Sequence, residues 1–252
     1  TLGNGTTSDY SSPIQIGSLT NWSQVSCGRN TIAVKTDGTL WTCGSGSWGQ
    51  MGNGTTVNYS SPIQIGSLTD WKNVFGDGST GFAIKNNGSL WGWGSNTYGE
   101  LGNGTTTDYM SPIQIGTLTN WKQVALGDYY FNAIKNDGTL WSCGYGLAGT
   151  LGNNTTNYYS SPIQVGALTN WKQVFGGGQV SGAIKTDGTL WVWGQNSYGQ
   201  LGQGNTTAYS SPVQVGNLTN WKIASFSMGT SIAVKTDGTL WVWGNNNYGQ
   251  LG

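Results

Sequence analysis

Asn136-Asp137-Gly138-Thr139-Leu140-Trp141-Ser142-Cys143-Gly144 is the stretch that decides the fold. Asp-Gly accepts the positive φ angles of a tight hairpin turn, and Phe131-Asn132-Ala133-Ile134-Lys135 before it supplies the other arm. The same turn recurs at Asp37-Gly38, Asn87-Gly88, Asp187-Gly188 and Asp237-Gly238, and Trp41, Trp91, Trp141, Trp191 and Trp241 follow the five turns. Working outward, Pro13, Pro62, Pro112, Pro162 and Pro212 each stand in Ser-Pro-(Ile/Val)-Gln, and Trp22, Trp71, Trp121, Trp171 and Trp221 follow nine residues later. The step between prolines is 49 once and 50 thereafter. A period of this size means a small supersecondary unit copied and stacked, as in a propeller, solenoid or array.

The third copy shows the content of one unit. Residues 111–116 alternate apolar and polar behind a proline, which suits a short edge strand; 122–126, 131–135 and 139–144 read as three more. No stretch keeps a helical period. The expected fold is all-β, a propeller-like array of five repeats of about fifty residues, each a four-stranded antiparallel blade. The chain reads as one repeat domain, 1–252, with units of roughly 2–50, 51–100, 101–150, 151–200 and 201–250. Both ends fall at the same phase, so an excerpt of a longer array is expected, with a five-bladed ring or an open array as alternatives.

Ten basic and ten acidic residues cancel, and histidine is absent. Arg29 is the single arginine, so nothing marks a nucleic-acid footprint or a polybasic membrane site. No apolar run is long enough to cross a bilayer as a helix. Glycine, Asn, Thr and Ser are abundant, yet fourteen tryptophans and twelve tyrosines at fixed phase supply the buried aromatic area of a folded protein. Cys43 and Cys143 take the position filled by Trp93, Trp193 and Trp243 and read as small buried substitutes; a Cys27–Cys43 disulfide is open.

Trp193-Gly194-Gln195-Asn196-Ser197-Tyr198-Gly199-Gln200-Leu201-Gly202 resembles the signature of the regulator of chromosome condensation (RCC1) repeat, and residues 243–252 and 93–102 carry close variants. The resemblance covers the whole chain and implies a β-propeller, seven-bladed in the best-known members. That family includes a nuclear exchange factor for a small GTPase that binds nucleosomes. Its activity is not carried over: Asn30, Thr80, Tyr130, Val180 and Thr230 stand where the family often places histidine, and no basic tail is present. The repeats look more like those of secreted bacterial members, which include a β-lactamase-inhibiting propeller that works only by binding.

No catalytic constellation emerges. Without histidine there is no Ser-His-Asp set and no imidazole metal site, so no metal, no cofactor and no enzyme activity are expected. The copies differ most between their second and third strands. Arg29, Asn30, Asp77, Thr80, Asp128, Tyr129, Tyr130, Gln179 and Met228 lie there and are the candidate protein-binding residues, since varied loops on a rigid scaffold are the usual layout of a recognition surface. Asn4, Asn53, Asn103, Asn153 and Asn205 begin Asn-x-Thr sequons and are candidate glycan sites, or turn formers through their side-chain oxygens. The expected function is an extracellular or cell-surface scaffold that contacts proteins, including copies of itself in a larger structure or filament. The alternative is a soluble secreted propeller that binds or inhibits one protein through its variable loops.

Overall fold

The computed structural model describes residues 2–252, and their regular structure is β-strand joined by long turns and loops, with one short 3-10 turn at Leu147–Gly149. Two compact units divide the chain; one runs to Thr97 and resumes over Thr106–Trp121, and the other holds Tyr98–Thr105 with Lys122–Gly252. The first unit contains two sheets. One is β1 (Trp22–Cys27), β2 (Asn30–Lys35), β3 (Leu40–Gly44) and β4 (Tyr59–Gln64), paired in that order. The other is β5 (Trp71–Asp77), β6 (Thr80–Lys85), β7 (Leu90–Gly94) and β8 (Tyr109–Gln114).

The second unit adds a sheet of β9 (Trp121–Gly127), β10 (Tyr130–Lys135), β11 (Leu140–Gly144) and β12 (Tyr159–Gln164). A fourth sheet follows in β13 (Trp171–Gly177), β14 (Val180–Lys185), β15 (Leu190–Gly194) and β16 (Tyr209–Gln214). The fifth has three strands, β17 (Trp221–Phe226), β18 (Thr230–Lys235) and β19 (Leu240–Gly244). The all-β reading and the propeller-type blade are as expected.

One expectation changes. The Ser-Pro-Ile-Gln strand was placed first in its own repeat, but it closes the sheet begun by the preceding copy. Gln64 faces Trp41 and Tyr59 faces Gly44 in the first sheet, and Gln114, Gln164 and Gln214 face Trp91, Trp141 and Trp191 in the next three. The strand lies at the sheet edge, where a proline removes no interior ladder bond.

The Asp-Gly turns do more than reverse the chain. Asp37 Oδ1 accepts the Thr39 amide at 3.0 Å and the Thr39 hydroxyl at 2.6 Å, and that hydroxyl accepts the Trp41 indole N–H at 2.8 Å. Asn87-Ser89-Trp91 repeats the relay in the second copy, and Asp187-Thr189-Trp191 in the fourth. The lysine before each turn completes it. Lys35 Nζ lies 3.6 Å from the Trp41 ring centroid and 4.9 Å from that of Trp22, and Lys185 lies 3.6 Å from Trp191 and 4.9 Å from Trp171. A desolvated cation over two indoles is worth about 2 kcal/mol. The threonine bonds hold the Asp187 carboxyl below the usual carboxylate range, while burial pulls the Lys185 ammonium below the usual lysine range.

Consecutive sheets within each unit stack face to face. Ile32, Val34, Leu40 and Ile65 of the first pack against Trp71, Val74, Ala83 and Trp93 of the second. Ile134, Leu140 and Val165 meet Trp171, Val174, Ala183 and Trp193 in the same way. A backbone carbonyl from the preceding copy caps each deep indole: Trp93 donates to Gln50 O, Trp193 to Thr150 O and Trp243 to Gln200 O. Residues facing this position across the hairpin trade volume with it. Gly81 opposes Trp93 and Ser181 opposes Trp193, whereas Phe131 opposes Cys143 and Thr31 opposes Cys43. A Cβ on Gly81 would stand 2.4 Å from the Trp93 ring, so the large indole needs a small neighbour. Cys43 and Cys143 are buried, and all three cysteines are free thiols. The Cys27–Cys43 disulfide is therefore not formed.

Two outcomes follow from these contacts. Cys143→Trp should destabilise the fold by about 1–3 kcal/mol through overpacking against Phe131, and adding Phe131→Ser should recover most of that loss in a denaturant-unfolding double-mutant cycle. Stability linked to Asp187 is present above the ordinary carboxylate pKa and is lost as pH falls through the lowered folded value. Asp187→Asn, which copies Asn87, should keep the neutral-pH melting temperature while flattening its fall on acidification.

Candidate functional site

The variable loops gather within each unit. In the first, the backbone of Gly28 packs against Asp77 and Gly78, so close that a Cβ there would stand 2.6 Å from the Gly78 nitrogen. In the second, the Asp128 amide donates to Gly178 O at 2.8 Å, and Gly178 abuts Met228. These loops form one rim of each unit, as a recognition surface requires.

The nine candidate residues on them separate by the pleat. Arg29, Tyr129 and Met228 are exposed, Asp77, Asp128 and Gln179 half-buried. Asn30, Thr80 and Tyr130 begin strands with their side chains turned inward, which corrects their placement as contact residues. Asn30 Nδ2 donates to Gln50 O at 2.9 Å. The Tyr130 hydroxyl donates to Val180 O at 2.7 Å, with its ring across Gly127, where no side chain intervenes.

Tyr129 belongs to a larger feature. Its ring lies 5.1 Å from Tyr98, which is also 5.1 Å from Tyr145 and 5.6 Å from Tyr158; Tyr145 and Tyr158 stack at 5.0 Å. Tyr129 and Tyr158 are about half exposed, at 48% and 46%, so the patch faces solvent while its rings brace one another. Burial first, then the neighbouring Tyr158 and Tyr98, pushes the Tyr145 phenol above its usual range. Burial likewise raises the carboxyl of Asp128, the residue before Tyr129.

Three of these tyrosines depart from the repeat, Tyr129 and Tyr145 in the third copy and Tyr158 early in the fourth. Tyr145 stands where the other copies have Ser45, Ser95, Gln195 and Asn245, and Tyr158 where they have Asn58, Asp108 and Ala208. Asn58 and Asp108 accept backbone amides from Gly46 and Asn96, a role that a tyrosine ring gives up. Tyr129 adopts φ +63, a left-handed backbone that costs a non-glycine residue about 1–2 kcal/mol. The second and fourth copies place their positive φ one residue earlier, on Gly78 and Gly178. Sequence reading singled out Tyr129 and missed Tyr98, Tyr145 and Tyr158, although comparing the copies outside the variable loops marks the last two.

The sequon asparagines act locally. Asn53 Oδ1 accepts both the amide and hydroxyl of Thr55, Asn103 does so with Thr105 and Asn4 with Thr6; Asn153 accepts the Thr155 hydroxyl and Asn205 the Thr207 amide. Among the described residues no group of three or more Cys, Asp or Glu side chains is placed to hold a metal ion. Among the described residues no helix is long and apolar enough to cross a membrane.

The buried and exposed tyrosines should part in mutation. Tyr130→Ala should cost about 3–5 kcal/mol in chemical unfolding by emptying a packed site. Tyr129→Gly should stay within about 1 kcal/mol, because relief of the left-handed backbone offsets the lost ring contact.

The family pattern of the regulator of chromosome condensation (RCC1) repeat matches residues 37–80, 87–134, 137–184 and 187–234, and a second pattern of the same description matches 171–200 and 229–250. No curated protein matches the chain. Among solved structures, yeast RCC1 (Prp20) bound to Kap60 superposes with a TM-score of 0.78 at 19% identity over 92% of this chain and 57% of that one. Prp20p from Saccharomyces cerevisiae, in a structure concerned with its binding to Gsp1p and histones, gives 0.77 at 20% over 89% and 57%. Human WBSCR16 gives 0.76 at 23% over 85% and 58%. This chain thus spans a little under three fifths of those proteins, and its four matched repeats place it in the RCC1 repeat family.

Proposed function

We propose that this chain is a non-catalytic, extracellular or cell-surface scaffold of RCC1-type blades that works by protein contact. The observation that carries the reading is convergence. Three tyrosines that depart from the repeat, two in the third copy and one in the fourth, meet around Tyr98 on the solvent side of one unit. Drift in duplicated loops would scatter such changes, and the strained backbone of Tyr129 adds a stability cost that the copies with glycine avoid. Tyrosine gives large, rigid contact area at low side-chain entropy cost, which suits it to protein surfaces. Zero net charge and a single arginine favour a protein partner over nucleic acid. The partners named for yeast RCC1, Kap60 in one structure and Gsp1p and histones in another, belong to that protein and lend support by fold alone.

Selection of a displayed peptide library against the intact chain tests the tyrosine patch. Enriched peptides should lose at least about tenfold in affinity with Tyr129→Ala or Tyr158→Ser, roughly 1.4 kcal/mol or more. Binders indifferent to both changes would sink the assignment of this patch.

A further inference from the structure

Tyr145 and Tyr158 are held against each other by backbone as well as by their rings. The Tyr145 amide donates to Tyr129 O at 2.9 Å, which ties the segment after β11 to the loop before β10. The next residue, Gly146, lies against Asn157, so close that a Cβ on Gly146 would collide with the Asn157 carbonyl oxygen. Asn157 immediately precedes Tyr158, so both tyrosines leave backbone segments that brace each other. Their rings stack with centroids 5.0 Å apart and planes inclined by 28°. The other contacts of the patch are steeper, at 60°, 75° and 86°. A near-parallel stack at this separation sets ring carbon over ring carbon, whereas an edge-on pair presents hydrogen to a ring face.

Tyr98 and Tyr129 extend the pair toward solvent. Tyr98 lies 5.1 Å from Tyr145 and 5.6 Å from Tyr158, and Tyr129 lies 5.1 Å from Tyr98. An electron removed from the exposed Tyr129 ring can be replaced from the rings behind it. The nearest thiol does not compete. Cys143 is buried, with its Sγ bonded to Gly99 O and Tyr159 O, and burial pushes its pKa up, so the reactive thiolate does not form. The corresponding pairs Ser45 and Asn58, Ser95 and Asp108, and Gln195 and Ala208 contain no phenol, so the chemistry is confined to one place in the array.

We propose that Tyr145 and Tyr158 form an oxidative cross-linking site, joined as dityrosine when the chain meets a haem peroxidase and hydrogen peroxide. Each phenol gives one electron to the oxidised haem and one proton to water. The two tyrosyl radicals then form a bond between ortho carbons, and transfer of the two ortho hydrogens to the phenolic oxygens, as protons, restores both aromatic rings. Two electrons and two protons leave the pair, and one hydrogen peroxide is reduced to two waters. The bond closes the connection between β11 and β12 at its neck and fixes the edge strand of that sheet. Closing a loop covalently restricts the unfolded chain, so the linked protein is the more stable one. No partner protein is needed, so this site and the contact surface can fail separately.

Oxidation of the dilute full chain with a haem peroxidase and hydrogen peroxide, followed by unfolding, digestion and mass spectrometry, tests this. A Tyr145–Tyr158 link lacking two hydrogens is expected at least about tenfold above any other tyrosine pair, because rings already in contact react at high effective concentration. Unfolding the chain in urea before oxidation should erase that preference. Tyr158→Phe keeps the stacked ring and removes its phenol. Its melting temperature should match the unaltered chain before oxidation, its intramolecular dityrosine fluorescence should nearly vanish, and the rise in melting temperature on oxidation should be lost. Links spread evenly over the twelve tyrosines, links only between molecules, or a Tyr145–Tyr158 yield indifferent to prior unfolding would each overturn the proposal.

Discussion

Everything in this fold depends on one limitation: a single four-stranded sheet has two apolar faces and buries neither alone. Each sheet in the interior of a unit therefore uses its neighbour as solvent. The deep indoles of Trp93 and Trp193 show how this is made specific, since each donates its N–H to a carbonyl of the copy before it. An apolar contact sets the distance between sheets and a hydrogen bond sets the phase. The same demand explains the volume exchange across the hairpin. Where Trp gives way to Cys143, Phe131 grows to fill the gap, so that the face keeps its thickness while its residues change.

The turn relay adds a second level of order. Asp or Asn, then Thr or Ser, then Trp are joined by hydrogen bonds over five residues, and a lysine closes over the ring. Local and tertiary preferences agree at this point: the turn that sequence favours is also the one that orients the indole for packing. Such agreement lets the copies diverge elsewhere. The third copy can carry an unfavourable φ at Tyr129 because the strands on either side are held independently.

Much of this was legible before any coordinates. Asp-Gly turns, fixed tryptophan phase and short alternating runs carry strand identity, because turn chemistry and period-two patterning act locally. The pairing of the Ser-Pro-Ile-Gln strand was not legible, because a repeat of 50 residues gives phase and leaves open where a sheet begins. At the rim, loop variation pointed to the right segments, but Tyr129 and Tyr130 are adjacent in sequence and point to opposite sides of the backbone. One reaches solvent and the other the interior. The meeting of Tyr145 and Tyr158 with Tyr98 depends on how strands of two copies interleave, which no local pattern records.

The buried lysines carry one more consequence. Lys35, Lys85, Lys135, Lys185 and Lys235 lie under tryptophan faces and are no more than 7% exposed, leaving Arg29, Lys72, Lys122, Lys172 and Lys222 at the surface. In the folded state half of the basic side chains are closed to amine-reactive reagents and to trypsin-like proteases. The remaining lysines follow the first tryptophan of their strands, inside hydrogen-bonded backbone that resists the extended conformation a protease must impose. Arg29, exposed in the loop between β1 and β2, is the one basic side chain of the described residues outside a strand, so a trypsin-like protease should cut the folded chain there before any lysine.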